Sequence, residues 1–303
     1  MYYSGDRIYE DLDILGISPT SVEPIIHDDA ISSTVFRVHS SHGKSYIMKY
    51  FFSGDRLRRE AFYLSHLRGI IPVPDIIDTV ASGEDFGGAL LIEDVSGVLL
   101  KSSTLSDSCA SKIGETLALL HDVSVDRYGD LSNDEDVTAS PREEMQIYFE
   151  RSFAECSSIT DASLLGLCKK FVLEHIHILD DAEGPCIVHR DYRPGNIIVD
   201  GDDVKAVIDF ENARGSFAEE DFAQMERLAW HHYPTTRNAF LQGYKTVRPL
   251  PAHLDDITPL LLVLKALGAI GFTYERKTWE GKHRHIYEDN VDFLKELFRH
   301  RLL

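Results

Sequence analysis

Residues 186–214 read CIVHRDYRPGNIIVDGDDVKAVIDFENAR, and this stretch decides the fold. His189, Asp191 and Asn196 form the pattern H-x-D-x-x-x-x-N within it. Two β-branched runs separated by the turn-like residues DGDD follow, and they predict a β-hairpin. Asn196 directly precedes the first predicted strand, and Asp209 directly follows the second. Because an antiparallel hairpin brings these two ends together, the two oxygen-bearing side chains are expected to lie side by side.

These side chains suggest a metal site with a base beside it. A carboxylate and an amide oxygen can share a hard cation, and Mg²⁺ bound in this way is usually completed by water and substrate phosphates. Asn196 and Asp209 are therefore the candidate metal ligands. Asp191 is placed to accept a proton from an attacking hydroxyl. The alternative is a set of turn residues that cap the hairpin, but all four residues at this spacing favour the site.

The same residues resemble a known family. The pattern H-x-D-x-x-x-x-N followed by I-D-F resembles the catalytic loop and metal-binding aspartate of the protein-kinase-like fold, and HRDYRPGN…IDFENA is most similar to the aminoglycoside phosphotransferase and choline kinase family. Those enzymes phosphorylate hydroxyls of small molecules. The resemblance implies that Asp191 is the catalytic base and that Asn196 and Asp209 hold Mg²⁺. It also implies that His189 organises the loop and that Arg193 contacts the transferred phosphoryl group.

A kinase-like fold also needs a strand lysine for the α- and β-phosphates and a helix glutamate that holds it. Lys49 lies in the apolar run SYIMKYF, where a buried lysine is costly unless it is paired. Glu60 lies on the apolar face of the next predicted helix, between Leu57 and Leu64. The two side chains are therefore predicted to form an ion pair. The alternative is a lysine whose amine reaches solvent and an exposed Glu60.

The loop that would cover the phosphates is unusual. Protein kinases use a glycine-rich loop there, whereas residues 28–34 read DDAISST and contain no glycine. The candidate phosphate contacts are backbone N–H groups and the hydroxyls of Ser32, Ser33 and Thr34. An ordinary solvated turn is the alternative.

The run LLIEDV at residues 90–95 resembles the strand whose backbone reads the adenine edge in this family, which makes Glu93 and Val95 candidate nucleotide contacts. The pattern changes after it. Residues 1–96 read as strands with one helix, and residues 97–303 as mainly helical. Strands followed by helices predict an α+β protein with two lobes. We expect a nucleotide-binding lobe built on an antiparallel sheet, and a helical lobe with the catalytic loop and acceptor site.

Acidic residues also follow the motif, at Glu211, Glu219, Glu220 and Asp221, and others lie in the predicted loop from Asp130 to Asp136. Most of these carboxylates are expected on a solvated face, with a pocket for a polyamine-like substrate as the alternative. Asp221, in the run EEDFA, resembles a family position that braces the catalytic loop, and it is predicted to be structural.

The composition is that of a folded, acidic protein. Of 303 residues, 43% are hydrophobic and 27% charged, so a sizeable core is expected. The formal charge of −19 argues against nucleic acid or an anionic membrane as a partner and suits a cationic one. The longest apolar stretch, Leu260–Tyr274, is too short to span a bilayer and predicts a core helix. No signal peptide is visible and the four cysteines lack a C-x-x-C pair, so a reducing, cytoplasmic location is expected.

The expected acceptor is a small molecule with a hydroxyl group. The leading hypothesis is an ATP- or GTP-dependent phosphotransferase, a resistance enzyme that acts on an aminoglycoside-type or other hydroxylated antibiotic. The alternatives are a metabolic kinase of choline, ethanolamine, a sugar or an amino alcohol, and a nucleotide-binding pseudokinase scaffold. The scaffold hypothesis predicts loss of a catalytic position, and none is lost. Arg190 stands where many small-molecule kinases carry glycine, which leaves the substrate class open, and the sequence does not indicate the oligomeric state.

Overall fold

The structure is a computed structural model that describes residues 5–26, 33–83, 86–231, 233–281 and 283–299. Its helices are α1 (Gly5–Ile14), α2 (Gly54–Leu67), α3 (Asp107–His121), α4 (Pro141–Cys156), α5 (Ala162–His175), α6 (Glu219–Met225), α7 (Arg237–Lys245), α8 (Leu254–Glu275) and α9 (Arg284–Leu297). Its strands are β1 (Pro19–Ile25), β2 (Ser33–Ser40), β3 (Ser45–Phe51), β4 (Ile76–Val80), β5 (Ala89–Glu93), β6 (Val98–Leu99), β7 (Tyr128–Gly129), β8 (Val137–Thr138), β9 (Cys186–Val188), β10 (Ile197–Asp200), β11 (Asp203–Val207) and β12 (Arg214–Ser216). This mixture of antiparallel strands and helices confirms the α+β class.

These elements cluster into two compact units, each built from three separate chain segments. Unit 1 comprises Met1–Leu120, Arg193–Ala213 and Thr235–Arg248. Unit 2 comprises His121–Tyr192, Arg214–Pro234 and Pro249–Leu303. The lobes expected at residues 1–96 and 97–303 stay a prediction.

The main sheet of unit 1 is antiparallel, with the strand order β1-β2-β3-β5-β4. Lys49 lies in the central strand β3, opposite Val35 of β2 and Leu90 of β5. Hydrogen-bonded neighbours on both sides therefore fix the backbone that carries this lysine. One face of the sheet packs against α1 through Ile8 and Leu12, which lie one helical turn apart.

A second sheet of unit 1 has the order β11-β10-β6 and contains the predicted hairpin. Ile197 pairs with Val207 at its open end, and Ile198 pairs with Leu99 of β6. Asn196 and Asp209 thus flank a hairpin whose first strand is paired on both sides, with β11 and with β6.

Helices α3 and α7 of unit 1 cross at backbone contact distance. A Cβ atom added to Gly243 would lie inside the van der Waals radius of the Ser111 carbonyl, and one added to Gly114 would meet the Phe240 carbonyl in the same way. Because a backbone carbonyl cannot rotate aside, Gly243→Ala is expected to lower the free energy of unfolding by about 1–3 kcal/mol, as overpacking does. Chemical denaturation measures the change.

The matched control for this crossing is Gly166→Ala in α5, where an added Cβ meets no atom within 4 Å. Alanine at this exposed helical position is expected to raise stability by about 0.5–1 kcal/mol. Similar stabilities of the Gly243 and Gly166 variants would contradict the close crossing.

Unit 2 is built around α8, which packs against α4, α5, α6 and α9. Ile257, Leu260, Leu264 and Leu267 of this helix belong to a core that also contains Phe149 of α4. Within the described residues, α8 is the one helix long and apolar enough to cross a membrane, and 56% of its most apolar window is buried. Because much of α8 is buried, it is a core helix, as the sequence predicted.

A small sheet of unit 2, with the order β8-β7-β12-β9, carries the loop with the motif. Strand β9 ends at Val188 and pairs with β12, so the backbone immediately before His189 is held by a ladder. The loop that carries the motif therefore begins from a fixed backbone position.

Candidate active site

Lys49 lies at the centre of a buried charge cluster in unit 1. Its Nζ lies 2.5 Å from Glu60 Oε2, 2.5 Å from Asp209 Oδ1 and 3.8 Å from Glu211 Oε2. Lys49, Glu60 and Glu211 are buried, whereas the Asp209 side chain is 28% exposed. The structure thus contains the ion pair predicted from the sequence and adds two carboxylates to it.

The carboxylates keep the lysine charged. Burial alone would lower the pKa of Lys49, but the charges of Asp209, Glu60 and Glu211 outweigh burial and raise it. Burial raises the pKa of Glu60 to about 7, against the lowering effect of Lys49. Glu211 is held from its other side by Arg56, whose Nη1 donates to Oε1. A charged ammonium held in one position is what binding of a nucleotide phosphate requires.

Asn196 and Asp209 are neighbours at the open end of the hairpin. The amide of Ile208 donates to the carbonyl of Asn196 at 3.0 Å. Asp209 itself has a φ of +72°, the left-handed region that aspartate and asparagine enter more readily than most residues. One amide oxygen and one partly exposed carboxylate are the donor types that Mg²⁺ takes from proteins.

Carboxylates of unit 1 also gather around this point. Oxygens of Glu60, Asp209 and Glu211 lie within 4.8 Å of one another. Two of these three oxygens contact the ammonium of Lys49 at hydrogen-bond distance. Asp209 is the most exposed of the three, so it is the carboxylate that can turn to a metal ion. The residues present therefore fit a magnesium ion at Asn196 and Asp209.

The catalytic loop of unit 2 is braced by Asp221. Its Oδ2 accepts a hydrogen bond from the His189 amide at 2.8 Å, and its Oδ1 accepts one from the Arg190 amide at 2.6 Å. Arg190 has a φ of +68°, and these contacts hold it there. Burial acts to raise the pKa of Asp221, but the hydrogen bond from His121 and the charges of both histidines lower it overall. The predicted bracing contact is therefore present.

Asp191 is contacted by a residue that the sequence did not single out. Gln224 Nε2 donates a hydrogen bond to Asp191 Oδ1 at 2.6 Å. The amide of Asp191 also donates to Nδ1 of His189 at 3.3 Å. Gln224 lies three residues after Asp221 on α6, so the two share a helix face. That spacing was the signal that could have indicated Gln224.

A lysine of α8 supports the loop as well. Lys265 Nζ donates to the carbonyl of Arg190 at 3.3 Å, and burial lowers the pKa of this lysine. Arg190, the residue before Asp191, is thus held at its amide by Asp221 and at its carbonyl by Lys265. Asp191 is anchored through both its backbone and its side chain.

Removal of the Gln224 amide is expected to lower kcat. The bond to a carboxylate contributes about 1.5–3 kcal/mol, so Gln224→Leu should lower kcat about tenfold or more. The KM for nucleotide should stay unchanged, since Gln224 contacts Asp191. Steady-state kinetics measure both. Gln146→Leu, at an exposed glutamine of α4, is the control, and equal effects of the two variants would show that Gln224 does not position Asp191.

The expectation that most of the acidic residues after the motif lie on a solvated face is wrong. Glu219, Glu220 and Glu211 of the lysine cluster are at most 1% exposed, and Asp221, which was predicted to be structural, is also buried. Glu219 accepts from an amide, and Glu220 Oε2 accepts from Arg190 Nε at 3.0 Å. Their partners come from distant chain segments, so charge density alone could not separate buried from solvated carboxylates.

A second buried carboxylate lies beside Glu220. Ser216 Oγ donates to Glu220 Oε1 at 2.6 Å and lies 3.0 Å from Glu144 Oε2. Arg214 Nε lies 3.0 Å from Glu144 Oε1. Burial and the neighbouring Glu220 charge raise the pKa of Glu144 to about 7. These contacts link α4, β12 and α6 behind the catalytic loop.

The proposed phosphate contacts fall at the edge of the described residues. Ser32 lies outside them. Ser33 and Thr34 are the first residues of β2, where they pair with β3 and do not belong to an open loop. Their role in phosphate binding stays a prediction.

The other predicted nucleotide contacts lie in unit 1. The amide of Glu93, at the end of β5, donates to the Asp75 carbonyl at 2.9 Å, and Val95 follows the strand. The Arg193 guanidinium packs against Gly195, where any Cβ would displace it. Arg193 therefore depends on a glycine two residues later for its position.

Comparisons with known proteins agree with this geometry. A family model described as "Phosphotransferase enzyme family" matches residues 24–255. No curated protein sequence gives a significant match. Solved structures of similar fold include the GDP and kanamycin complex of APH(2")-IIia, which is 15% identical with a TM-score of 0.71 and covers 97% of this chain and 99% of that chain.

Two further structures complete the comparison. A thermostable mutant of aminoglycoside phosphotransferase APH(4)-Ia, in ternary complex with AMP-PNP and hygromycin B, is 13% identical with a TM-score of 0.71 and covers 97% and 98% of the two chains. Macrolide 2'-phosphotransferase MphH from Brachybacterium faecium is 16% identical with a TM-score of 0.66 and covers 95% and 97%. At these identities the likeness concerns the fold, and it confirms the predicted protein-kinase-like architecture.

Proposed function

Since the chain belongs to the phosphotransferase enzyme family, whose model matches most of it, we propose that it transfers the γ-phosphate of ATP or GTP to a hydroxyl group of a small molecule. The observation that carries this proposal is the cluster in which Lys49 Nζ lies 2.5 Å from both Glu60 and Asp209. Phosphoryl transfer requires a fixed lysine that contacts the donor phosphates and oxygen ligands that hold a metal ion. Lys49 among its carboxylates, beside the hairpin with Asn196, provides these groups. The solved structures with GDP or AMP-PNP bound support a nucleotide donor.

In this proposal, residues of unit 1 bind the nucleotide. Magnesium bound at Asn196 and Asp209 would neutralise charge on the donor phosphates. Lys49 turns from Asp209 to the α- and β-phosphates and stays oriented by Glu60. Arg193 contacts the γ-phosphoryl group, whose negative charge a planar guanidinium can meet with two hydrogen bonds.

The acceptor side belongs to the catalytic loop. The acceptor hydroxyl oxygen forms a bond to the γ-phosphorus as the bond to the bridging oxygen breaks and a nucleoside diphosphate leaves. Asp191 receives the hydroxyl proton, and Gln224 holds the carboxylate that receives it. His189 and Asp221 keep the loop backbone in place. The protein forms no covalent bond to the phosphoryl group in this mechanism. Positioning of the reactants and neutralisation of charge therefore make the largest contributions to catalysis.

Product analysis with a panel of acceptors tests the proposal. The protein is incubated with Mg²⁺ and ATP or GTP and with aminoglycosides, other hydroxylated antibiotics, choline-like alcohols, sugars and hydroxy acids. Nucleoside diphosphate release and product mass are measured, with Asp191→Asn as the blank. We expect a phosphorylated product from one acceptor class and none after chelation of Mg²⁺.

The panel also separates the alternatives. An antibiotic acceptor indicates a resistance enzyme, and a metabolite acceptor alone indicates a metabolic kinase. Nucleotide binding without any phosphorylated product, from the panel or from a small-molecule extract, contradicts the proposal and favours a pseudokinase scaffold.

A further inference from the structure

Unit 2 contains a cavity of about 270 Å³ beside the π-helical turn Glu226–Trp230 that continues α6. Its apolar lining comes from Leu262 of α8 and from Phe293 and Leu297 of α9. Arg227 lines it from the π-helical turn. π-helical turns are rare and are frequently found at functional sites.

Arg227 lacks a polar partner. Across the described residues it makes no hydrogen bond and no ion pair, and its Nε is buried. Its guanidinium carbon lies 5.7 Å from the centre of the Phe293 ring. Burial lowers the pKa of Arg227, against the opposing charge of Asp289. A guanidinium carries five N–H donors and stays charged. Because the Arg227 guanidinium is half-buried and has no acceptor among the described residues, binding of an anionic group would stabilise it.

The cavity lies one helical turn from the groups that hold the catalytic loop. Gln224, which contacts Asp191, precedes Arg227 by three residues. On α8, Leu262 precedes Lys265, which contacts the loop carbonyl, by three residues. Residues three apart are neighbours on a helix face, about 5 Å along the axis. Both helices thus run from the catalytic loop to the cavity.

We infer that this cavity holds the anionic end of the acceptor, and that the acceptor is a small hydroxylated acid whose carboxylate pairs with Arg227. The inference rests on the proposed function. Glu226, Glu296 and His231 also line the cavity. The two carboxylates disfavour a dianion such as a sugar phosphate and can pair with an ammonium group, so a monoanion or a zwitterion fits better. The volume lies below the range of about 300–1,000 Å³ typical of pockets for drug-sized ligands, which suits a small metabolite.

Matched pairs of acceptors test the inference, because each pair differs by one acidic group. The pairs are glycerate and glycerol, gluconate and glucose, and serine and ethanolamine, with glucose 6-phosphate and kanamycin as further probes. Ligand-induced thermal stabilisation measures binding without nucleotide, and mass spectrometry of the product measures transfer. We expect the acid of at least one pair to bind and to be phosphorylated, and its non-acidic partner to do neither.

Substitutions of Arg227 test where the carboxylate of the acceptor binds. Arg227→Gln is expected to raise the KM for the accepted acid about tenfold or more with kcat little changed. Arg227→Lys, which keeps the charge but not the planar fork, should lie between Arg227→Gln and the unchanged protein. Arg151→Gln is the control, because this arginine also lies over an aromatic ring, Tyr148, but is 68% exposed and outside the cavity.

The outcomes distinguish the inference from the proposed function. Phosphorylation of glycerol, glucose, ethanolamine or kanamycin with a KM that neither Arg227 variant alters would keep the proposed function and overturn the inference. Binding of an acid that is lost in Arg227→Gln, without any phosphorylated product, would support the inference and contradict the proposed function. Failure of every acid to stabilise the protein, or tight binding of glucose 6-phosphate alone, also overturns the inference.

Discussion

Replacing Asp191 by asparagine is expected to lower kcat by about 10²–10⁴-fold, the contribution typical of general base catalysis. The amide keeps the shape of the side chain but cannot receive the hydroxyl proton. Nucleotide affinity should stay within about twofold, because Lys49, Asn196 and Asp209, and not Asp191, are the residues proposed to bind the nucleotide and its metal ion. Steady-state kinetics with the accepted acceptor and calorimetric titration with nucleotide measure the two quantities.

The control for Asp191 is Asp200→Asn, at the exposed turn of the hairpin. It removes the same charge from the same stretch of chain, and both measured quantities should stay at their normal values. If Asp191→Asn kept more than about a third of the normal kcat, the assignment of the base would be wrong, since a proton acceptor in the transition state cannot be replaced by an amide.

Replacing Lys49 by methionine is expected to affect both stability and activity. Three carboxylates, of Glu60, Asp209 and Glu211, would then face one another without the cation between them. Removing one partner of a buried ion pair lowers the free energy of unfolding by about 3–5 kcal/mol. The loss of one charge that stabilises the transition state should lower kcat about 10²–10³-fold. Chemical denaturation and steady-state kinetics measure the two effects.

Two further variants interpret the Lys49 result. Lys49→Met combined with Glu60→Leu removes both charges of the pair, so part of the lost stability should return while kcat stays as low as in Lys49→Met. Lys112→Met breaks an exposed pair with Asp203 of the same 2.5 Å distance, and it should leave the free energy of unfolding nearly unchanged, because solvent screens this pair. Equal losses of stability in Lys49→Met and Lys112→Met would contradict a structural role for the buried cluster.

Local spacing in the sequence predicted the centre of the site. The hairpin that places Asn196 beside Asp209 is encoded by two β-branched runs and a four-residue turn. Lys49 and Glu60 were predicted as partners because each lies in an apolar pattern on consecutive elements. In these cases the relevant signal spans fewer than about twenty residues, so periodicity alone can carry it.

The remaining features depend on contacts between distant segments. Arg56 and Glu211 meet across 155 positions, and neither position predicts the other. The buried acids of α6 looked solvated because their partners, among them Arg190, lie about 30 positions away. Strands β7, β8, β9 and β12 have two or three residues each, too few for an alternation pattern. The substrate class was left open by the sequence for the same reason, since a cavity such as that at Arg227 is assembled by tertiary packing.

The division of unit 1 into three chain segments has a consequence for synthesis. Lys49 leaves the ribosome 160 residues before Asp209, and β6 leaves long before its partner β10. Until residue 213 has emerged, the first 120 residues lack the hairpin to pack against, and until residue 248 has emerged they also lack helix α7. Contacts of such high sequence separation slow folding and leave apolar surface exposed to aggregation. The nascent chain therefore completes the charge cluster around Lys49 late, and its yield during synthesis depends on protection of the N-terminal segment during that interval.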